Sequence, residues 1–359
     1  MSTATQPAPG TTAPQRGPVR IDRRLPRLAP LGLYLAGITL GAGVSALTGF
    51  SVTSTVVYGV ILGTLAVYVA SRAVEGRRKA SDRLVTCLVT TAFGIAMIPL
   101  VSLVYTVLDK GLERLDADFF SMSMFRVVGE GGGAYHAIVG TVIITLLATL
   151  ISVPIGLMTA IYLVEYGTGR LKRGITFFVD VMTGIPSIVA GLFAFALFTL
   201  LFGNDFRAGV MGAVALSVLM IPVVVRSCEE VLKLVPNELR EASYALGVPK
   251  WRTVVKVVLP TAIAGLGTGV TLSVARVVGE TAPLLITVGL ITGTNFNPFD
   301  GRMATLPVFA YYQLTQPGTA TQAFIDRAWT AALLLIILVM ALNVVARLIS
   351  RFFAPKTGR

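Results

Sequence analysis

The sequence predicts an all-α, polytopic membrane protein with about eight membrane-spanning helices. Of its 359 residues, 54% are hydrophobic and only 13% are charged. One soluble core cannot bury that much apolar surface, so the bilayer is the expected solvent for the rest. Apolar runs of roughly 20 residues, the length of a spanning helix, lie near residues 31–50, 53–71, 84–108, 136–163, 176–202, 208–228, 261–290 and 328–349.

The chain ends and the first two runs define the expected domain boundaries. Residues 1–27 are rich in Pro, Thr, Gln and Arg and lack an apolar signal-peptide core, so we expect a disordered cytoplasmic tail. The next two runs are glycine-rich and joined by an uncharged turn, which also suits a hairpin that enters and leaves on one side. We therefore expect an N-terminal transmembrane hairpin over 28–83, a transmembrane domain over 84–352 and a cytoplasmic tail over 353–359.

The net charge of +12 is compatible with nucleic-acid binding or with membrane orientation, and its distribution decides between the two. When the spans alternate, about 23 of the 30 basic residues fall on one side, and about six fall on the other. This asymmetry is the positive-inside pattern, so both termini are expected in the cytoplasm and the number of spans is expected to be even. The basic charge therefore needs no polynucleotide partner.

The segment 229–260 is the longest polar stretch on the predicted cytoplasmic side. Asn237 is expected to cap a first short helix that Gly247 ends. A second helix is expected over 250–258, with Pro260 marking the return into the bilayer. A helix, a turn and a helix are thus expected to protrude into the cytoplasm.

The same segment carries spaced residues that resemble the EAA loop of ABC-importer permeases, E-A-A-x3-G-x9-I-x-L-P. The resemblance implies a type I permease fold and a coupling helix that docks in a groove of a separate ATPase subunit, and a short amphipathic helix suits such docking. It also implies that Glu241 faces a basic residue of that subunit and that Gly247 makes the turn. The matching residues are Glu241, Ala242, Ser243, Gly247, Val257, Leu259 and Pro260, with Ser243 and Val257 as conservative departures.

A second resemblance covers the region from about residue 134 to 349. The segment 275–285, which reads ARVVGETAPLL, is similar to the A-type permease family of phosphate-specific transporters. This implies a heterodimer with a C-type permease, an ATPase dimer, an extracytoplasmic phosphate-binding protein and a place in the bacterial cytoplasmic membrane. The family core usually has six spans, so the N-terminal hairpin is an addition.

The chain has no G-x-x-x-x-G-K-[ST] segment, which is the motif that cradles nucleotide phosphates. We therefore expect ATP and Mg²⁺ on the partner ATPase subunit, and no cofactor, metal or catalytic residue in this chain. His136, the single histidine, has no cluster of ligands at metal-binding spacing around it.

Arg276 and Glu280 fall inside the predicted span 261–290, where an isolated charge costs about 2.5–3.5 kcal/mol on insertion scales. At spacing i, i+4 they would share one helix face. One interpretation is an internal salt bridge. The other is a transit site that also includes Thr281, in which Arg276 binds phosphate oxygens and Glu280 accepts a hydrogen bond from a protonated phosphate.

Two alternatives for the function stay open. Composition does not separate phosphate from phosphonate, sulfate or molybdate as the transported solute. A secondary transporter would need its own ion-coupling carboxylates in discontinuous helices. Among the remaining segments, we expect the glycines of 131–133 to form a flexible linker and the apolar patch of 306–312 to lie on the membrane surface.

Overall fold

A computed structural model describes residues 25–26 and 28–353. The predicted tails, 1–27 and 353–359, lie almost entirely outside these residues. The described part of the chain forms two compact units, unit 1 up to residue 103 and unit 2 from residue 104. Regular structure in the described part is helical apart from one isolated bridge. Seven helices are long and apolar enough to cross a membrane, or eight if a sharply bent pair counts as one span, which confirms the predicted fold class.

Unit 1 contains two helices, α1 (Ala29–Thr48) and α2 (Val52–Val74), and the first part of α3 (Arg77–Gly111). Glycines let α1 and α2 pack closely: a Cβ added to Gly37 would stand 2.5 Å from the amide nitrogen of Gly63. Small residues at such crossings favour close helix packing in membranes. Each helix is long enough to span a bilayer by itself.

Glu75 follows α2 directly, and its side chain connects the end of α2 to the start of α3 through hydrogen bonds. Its carboxylate accepts hydrogen bonds from Arg83 Nε (2.6 Å) and Nη2 (2.8 Å), from Ser71 Oγ (2.8 Å) and from the Leu25 amide (2.9 Å). The Arg83 guanidinium is the main reason that the pKa of Glu75 falls to about 2, against the opposing effect of burial.

Unit 2 begins with the second part of α3. Two of its following helices are joined by a sharp bend. The axes of the helices Gly169–Thr183 and Ser187–Phe202 differ by 107°, because Pro186 disfavours helical backbone at the preceding residue. The predicted single span 176–202 is therefore broken at residues 184–186. The elements are α4 (Ala117–Ser121), α5 (Tyr135–Ile161) with a π-helical turn (Tyr162–Tyr166), α6 (Gly169–Thr183), α7 (Ser187–Phe202) and α8 (Gly209–Lys233).

The rest of unit 2 contains one continuous helix of 29 residues, Lys250–Val278, where two elements were expected. Pro260 does not interrupt it, because a π-helical turn just before it absorbs the change in hydrogen bonding. The elements are α9 (Asn237–Ala245), α10 (Lys250–Thr253), the π-helical turn (Val254–Val258), α11 (Leu259–Val278), α12 (Ala282–Thr287), α13 (Leu306–Thr315) and α14 (Thr321–Phe353).

Helix α8 lies at the centre of the unit 2 core and packs against α5 and α11. Glycines of α11 face α8: a Cβ on Gly265 would stand 2.6 Å from Val231, and one on Gly269 would stand 2.9 Å from Ser227. The two helices therefore run in opposite directions, and the end of α11 reaches the middle of α8. The end of unit 2 that contains the predicted coupling segment, residues 162–173 and 229–256, is called the coupling end, and the opposite end, residues 203–208 and 288–305, is called the far end.

The two remaining expectations for unit 2 were wrong. The patch over 306–312 is not a membrane-surface segment, because Leu306 and Phe309 are buried in the core beside α5 and α14. The glycine run is held by buried Arg327, whose Nη1 donates to the carbonyls of Gly129 (2.8 Å) and Gly131 (2.7 Å). A buried cation that needs acceptors fixes this loop.

Candidate functional site

The predicted charged helix face at 276–280 does not exist as a continuous helix. Helix α11 ends at Val278, and α12 begins only at Ala282. Gly279 ends the helix, and Pro283 cannot donate the amide hydrogen bond that a continuous helix would need. Glu280 therefore lies in a break between two helices and not one turn above Arg276.

Arg276 and Glu280 nevertheless meet, because both line a cavity of about 230 Å³. Its other walls include Leu219 and Val223, the eleventh and fifteenth residues of the 25-residue α8. The cavity is therefore at the middle of a spanning helix, where an ion is expensive without a partner. Ser187, the first residue of α7, also lines it, so the positive end of that helix dipole opens on the cavity.

The internal salt bridge between Arg276 and Glu280 is not formed. Neither side chain makes an ion pair or hydrogen bond with any other described residue. Arg276 is exposed, and Glu280 is half-buried. The cavity thus presents both an unpaired guanidinium and an unpaired carboxylate.

Thr281 lies in the same break but lines a different cavity of about 500 Å³, together with Gly279 and Leu285. This second cavity is mainly apolar and is bounded by α12, α13 and α14. The structure therefore brings Arg276 and Glu280 together and separates Thr281 from them.

The EAA-like residues Glu241, Ala242 and Ser243 lie in the second half of α9, at the start of a helix, turn and helix at the coupling end. Glu241 and Ala242 are exposed on α9. Gly247 has φ +73° and completes a Schellman turn, in which its amide donates to the Tyr244 carbonyl (2.9 Å) and the Val248 amide donates to the Ser243 carbonyl (3.2 Å). The expected turn at Gly247 is therefore present.

Three details of the segment 229–260 differ from the sequence-based prediction or add to it. Asn237 does not cap α9, because Pro236 occupies the cap and Asn237 Oδ1 accepts from Arg240 Nη1 (3.2 Å). Leu259 and Pro260 lie in the first turn of α11, apart from the exposed turn. The apolar surface of the segment is largest at Leu246, which is 83% exposed.

Ser243, the departure from E-A-A, has a structural partner. Its hydroxyl lies 2.8 Å from the hydroxyl of Thr253, and both side chains are buried. This hydrogen bond joins α9 to α10 across the Gly247 turn. An alanine at position 243 would leave the Thr253 hydroxyl with only a 3.5 Å contact to the Pro249 carbonyl.

Sequence reasoning missed the pair that holds α9 in place. Arg240 donates to Glu165 Oε1 from Nε (3.0 Å) and Nη2 (2.8 Å) and also donates to the carbonyls of Leu232 and Val235. The two side chains are 12% and 4% exposed. The pair joins the coupling segment to the π-helical turn that ends α5, and 75 positions of sequence separate its members.

A second charge network at the coupling end was also missed. Arg226 of α8 pairs with Asp180 of α6 and with Glu229 (2.7 Å), and Lys233 pairs with the other oxygen of Glu229 (2.7 Å). The pairs within α8 join residues three and four positions apart, a spacing that predicts contact on one helix face. No such spacing predicts the contact between Arg226 and Asp180 of α6.

A bundle of apolar helices with an exposed helical turn and a charged cavity at mid-helix depth is typical of a transport permease. A protein-family model agrees with this class. The model described as "Binding-protein-dependent transport system inner membrane component" matches residues 152–359, which is more than half of the chain.

Curated relatives refine the class. "Phosphate transport system permease protein PstA 1" of Mycobacterium tuberculosis is 48% identical over 286 residues, which cover 79% of this chain and 91% of that protein. The PstA of Mycobacterium leprae is 48% identical over 77% of this chain and 90% of its own length, and that of Pasteurella multocida is 38% identical over 78% and 97%. This chain belongs to the PstA permeases of the binding-protein-dependent transport family.

Solved structures agree at the level of the fold. A bacterial alginate ABC transporter bound to its periplasmic protein contains a chain that superposes with TM-score 0.53, at 13% identity, over 78% of this chain and 97% of that chain. A second structure of an alginate importer gives TM-score 0.52 at 12% identity. The type I permease fold of ABC importers, expected from the EAA resemblance, is confirmed.

Proposed function

We propose that this chain is the transmembrane permease subunit of an ATP-driven importer of inorganic phosphate and forms half of the translocation pathway. The observation that carries the proposal is the unpaired Arg276 guanidinium in a cavity at the middle of α8. Arg276 is exposed within this chain, but a cation without a partner at mid-bilayer depth is costly, so its position favours an anionic ligand that supplies the missing charge. The related phosphate transport permeases, which are 36–48% identical to this chain, support phosphate as that anion.

Arg276 would bind the solute through two parallel N–H donors, the geometry that fits two oxygens of a phosphate. The amino-terminal end of α7 adds partial positive charge at Ser187. Both interactions would be stronger at this depth than in bulk water, because the core of a bilayer has a low dielectric constant.

Glu280 would contribute discrimination between oxyanions. Phosphate near neutral pH carries a proton and can donate a hydrogen bond to the Glu280 carboxylate, whereas sulfate is fully ionised and has no proton to donate. A carboxylate beside the anion therefore repels sulfate more than it repels phosphate.

The exposed segment around Gly247 would receive movement from a separate ATPase. Leu246 and Trp251, which are 83% and 58% exposed, present apolar surface for docking in a groove, and Glu241 would face a basic residue there. In this arrangement ATP and Mg²⁺ are bound by the ATPase dimer, and this chain is a non-catalytic subunit without cofactor or metal.

The remaining partners and the orientation complete the proposal. A C-type permease supplies the other half of the pathway, and an extracytoplasmic binding protein delivers phosphate at the far end of unit 2. The coupling end and both termini lie in the cytoplasm, as the positive-inside pattern indicates. Hydrolysis in the ATPase then tips the two permeases between outward and inward access.

The test is ATP hydrolysis by the complete transporter reconstituted in liposomes. We expect the binding protein loaded with phosphate to stimulate hydrolysis strongly, and equal concentrations of sulfate, molybdate or a phosphonate to have little effect. If one of those anions stimulated ATP hydrolysis more than phosphate does, that anion and not phosphate would be the transported solute. Uptake by the permeases alone, driven by an ion gradient without ATPase, would instead make the protein a secondary transporter.

A further inference from the structure

Two arginines outside the cavity of Arg276 and Glu280 lie together at the far end of unit 2. Arg207 and Arg302 line the same two cavities, of about 500 Å³ and about 410 Å³. The loops that carry them are joined by a parallel backbone bridge between Ala208 and Gly301. Backbone contacts therefore hold the two arginine-bearing loops side by side.

The Arg207 guanidinium is already fixed in one orientation. Its Nη1 donates to the carbonyls of Asn204 (3.0 Å) and Phe206 (2.7 Å), and the group lies 4.6 Å from the ring centroid of Phe195. These contacts occupy Nη1 and one face of the guanidinium. Nε and Nη2 have no acceptor among the described residues, so they remain available as preorganised donors.

Arg302 has no such internal contacts. Its guanidinium has no ion pair or hydrogen bond with any residue that the structure describes, and the side chain is exposed. Its Cδ lies 3.9 Å from the point where a Cβ on Gly289 would stand. The side chain therefore lies over the end of α12 and faces the cavity that it shares with Arg207.

The two cavities differ in charge. Asp205 and Asp300 line the larger one together with the two arginines. The smaller one has no carboxylate in its lining, and Tyr312 and Gln316 add neutral groups that can donate hydrogen bonds. The smaller cavity therefore presents two positive charges and polar donors, the combination that recognises an oxyanion.

The smaller cavity also lies near the predicted pathway. Leu285 of α12 lines it and also lines the cavity that contains Thr281. Helix α12 has six residues and rises by about 9 Å. A short helix thus separates the arginine pair from the break that carries Glu280.

We infer that Arg207 and Arg302 form a receiving site for an oxyanion, where inorganic phosphate is held before it moves along α12 toward Arg276. The inference rests on the proposed function and adds a second anion site on the far side of α12. Two sites that each offer a guanidinium, separated by a short helix, let the anion move in steps and not across one long apolar stretch.

Arginine modification tests binding directly and does not depend on transport. The reconstituted transporter is treated with phenylglyoxal, and the modified residues are located by peptide mapping with inorganic phosphate or with chloride at equal ionic strength. Phosphate is expected to slow modification of Arg207 and Arg302 several-fold and to leave exposed Arg126 unaffected. Equal rates in phosphate and chloride would overturn the receiving site, while stimulation of hydrolysis by phosphate would still support the proposed function.

A variant separates anion binding from docking of the binding protein. Arg207→Gln with Arg302→Gln is expected to reduce phosphate uptake about tenfold or more, the value of one charge-assisted hydrogen bond, with unchanged affinity for the loaded binding protein. Lysine at both positions restores the charges and should recover part of the phosphate uptake rate. The control variant Arg126→Gln should take up phosphate at the rate of the unaltered protein. An equal loss of binding-protein affinity would assign the arginines to docking and overturn the inference, as would uptake at the unaltered rate.

Discussion

Arg240 in α9 and Glu165 in the π-helical turn after α5 form a nearly buried ion pair, with the guanidinium nitrogens 2.8 and 3.0 Å from one carboxylate oxygen. The pair is the direct charged link between the exposed coupling segment and a spanning helix. A displacement of α9 would therefore act on α5 through this contact as well as through the chain.

We predict that Arg240→Met destabilises the protein by about 3–5 kcal/mol, because it leaves the Glu165 carboxylate buried without its partner. Thermal unfolding of the purified chain measures the loss, and Arg173→Gln, an exposed arginine at the same end, is the matched control. Arg240→Met with Glu165→Leu should recover most of the stability. A double variant as unstable as Arg240→Met would argue against the pair as the cause.

The Gly247 turn gives a prediction that separates backbone strain from packing. A Cβ on Gly247 would meet no atom within 4 Å, so Gly247→Ala costs about 1–2 kcal/mol through its positive φ alone. We expect the strained turn to lower uptake per ATP hydrolysed. Gly174→Ala is the control, since Gly174 lies within α6 and also has open space around it. If both variants take up the same amount of phosphate per ATP hydrolysed, the Gly247 turn has no part in coupling.

The buried hydroxyl pair between Ser243 and Thr253 should stabilise the coupling segment modestly. Ser243→Ala is expected to cost about 1 kcal/mol, and Thr253→Val is expected to cost a similar amount. Because both changes remove the same hydrogen bond, the double variant should cost clearly less than the sum. Hydrogen exchange of the α9 amides measures the effect, and additive losses would mean that the hydrogen bond does not couple the two residues.

The Glu75 carboxylate predicts a pH dependence for unit 1. Its pKa is lowered from 4.5 to about 2 in the folded protein, so its stabilising effect is complete above pH 4.5 and is lost as the pH falls toward 2. The difference in unfolding temperature between the unaltered protein and Glu75→Gln should therefore be constant above pH 5 and should narrow between pH 4.5 and 3. A difference independent of pH over this range would contradict the assignment.

The number of spans was predictable because the bilayer imposes a length and a composition on each helix. The same criterion failed at residues 279–281, since hydropathy does not change where α11 ends and α12 begins. Gly279 and Pro283 were the local signals for that break. The EAA-like spacing predicted the helix, turn and helix around Gly247, because this turn depends on one glycine with positive φ.

Contacts between distant parts of the chain carried no sequence signal. The partner of Arg240 is 75 positions away, and no periodic pattern connects them. Arg207 and Arg302 lie in irregular loops that are brought together by backbone contacts, including the bridge between Ala208 and Gly301. Burial of residues 306–309 was missed because an apolar patch has the same sequence pattern in a protein core as on a membrane surface.

The central claim is that Arg276 binds the transported phosphate at mid-membrane depth and that Glu280 selects it over sulfate. Uptake of labelled phosphate into liposomes containing the complete transporter, with equal protein in every preparation and with sulfate as competitor, tests both parts. The account predicts that Arg276→Lys lowers the rate about tenfold or more through loss of the paired donors and that Glu280→Gln lets sulfate compete. Unaltered rates and unaltered sulfate exclusion in both variants would contradict it.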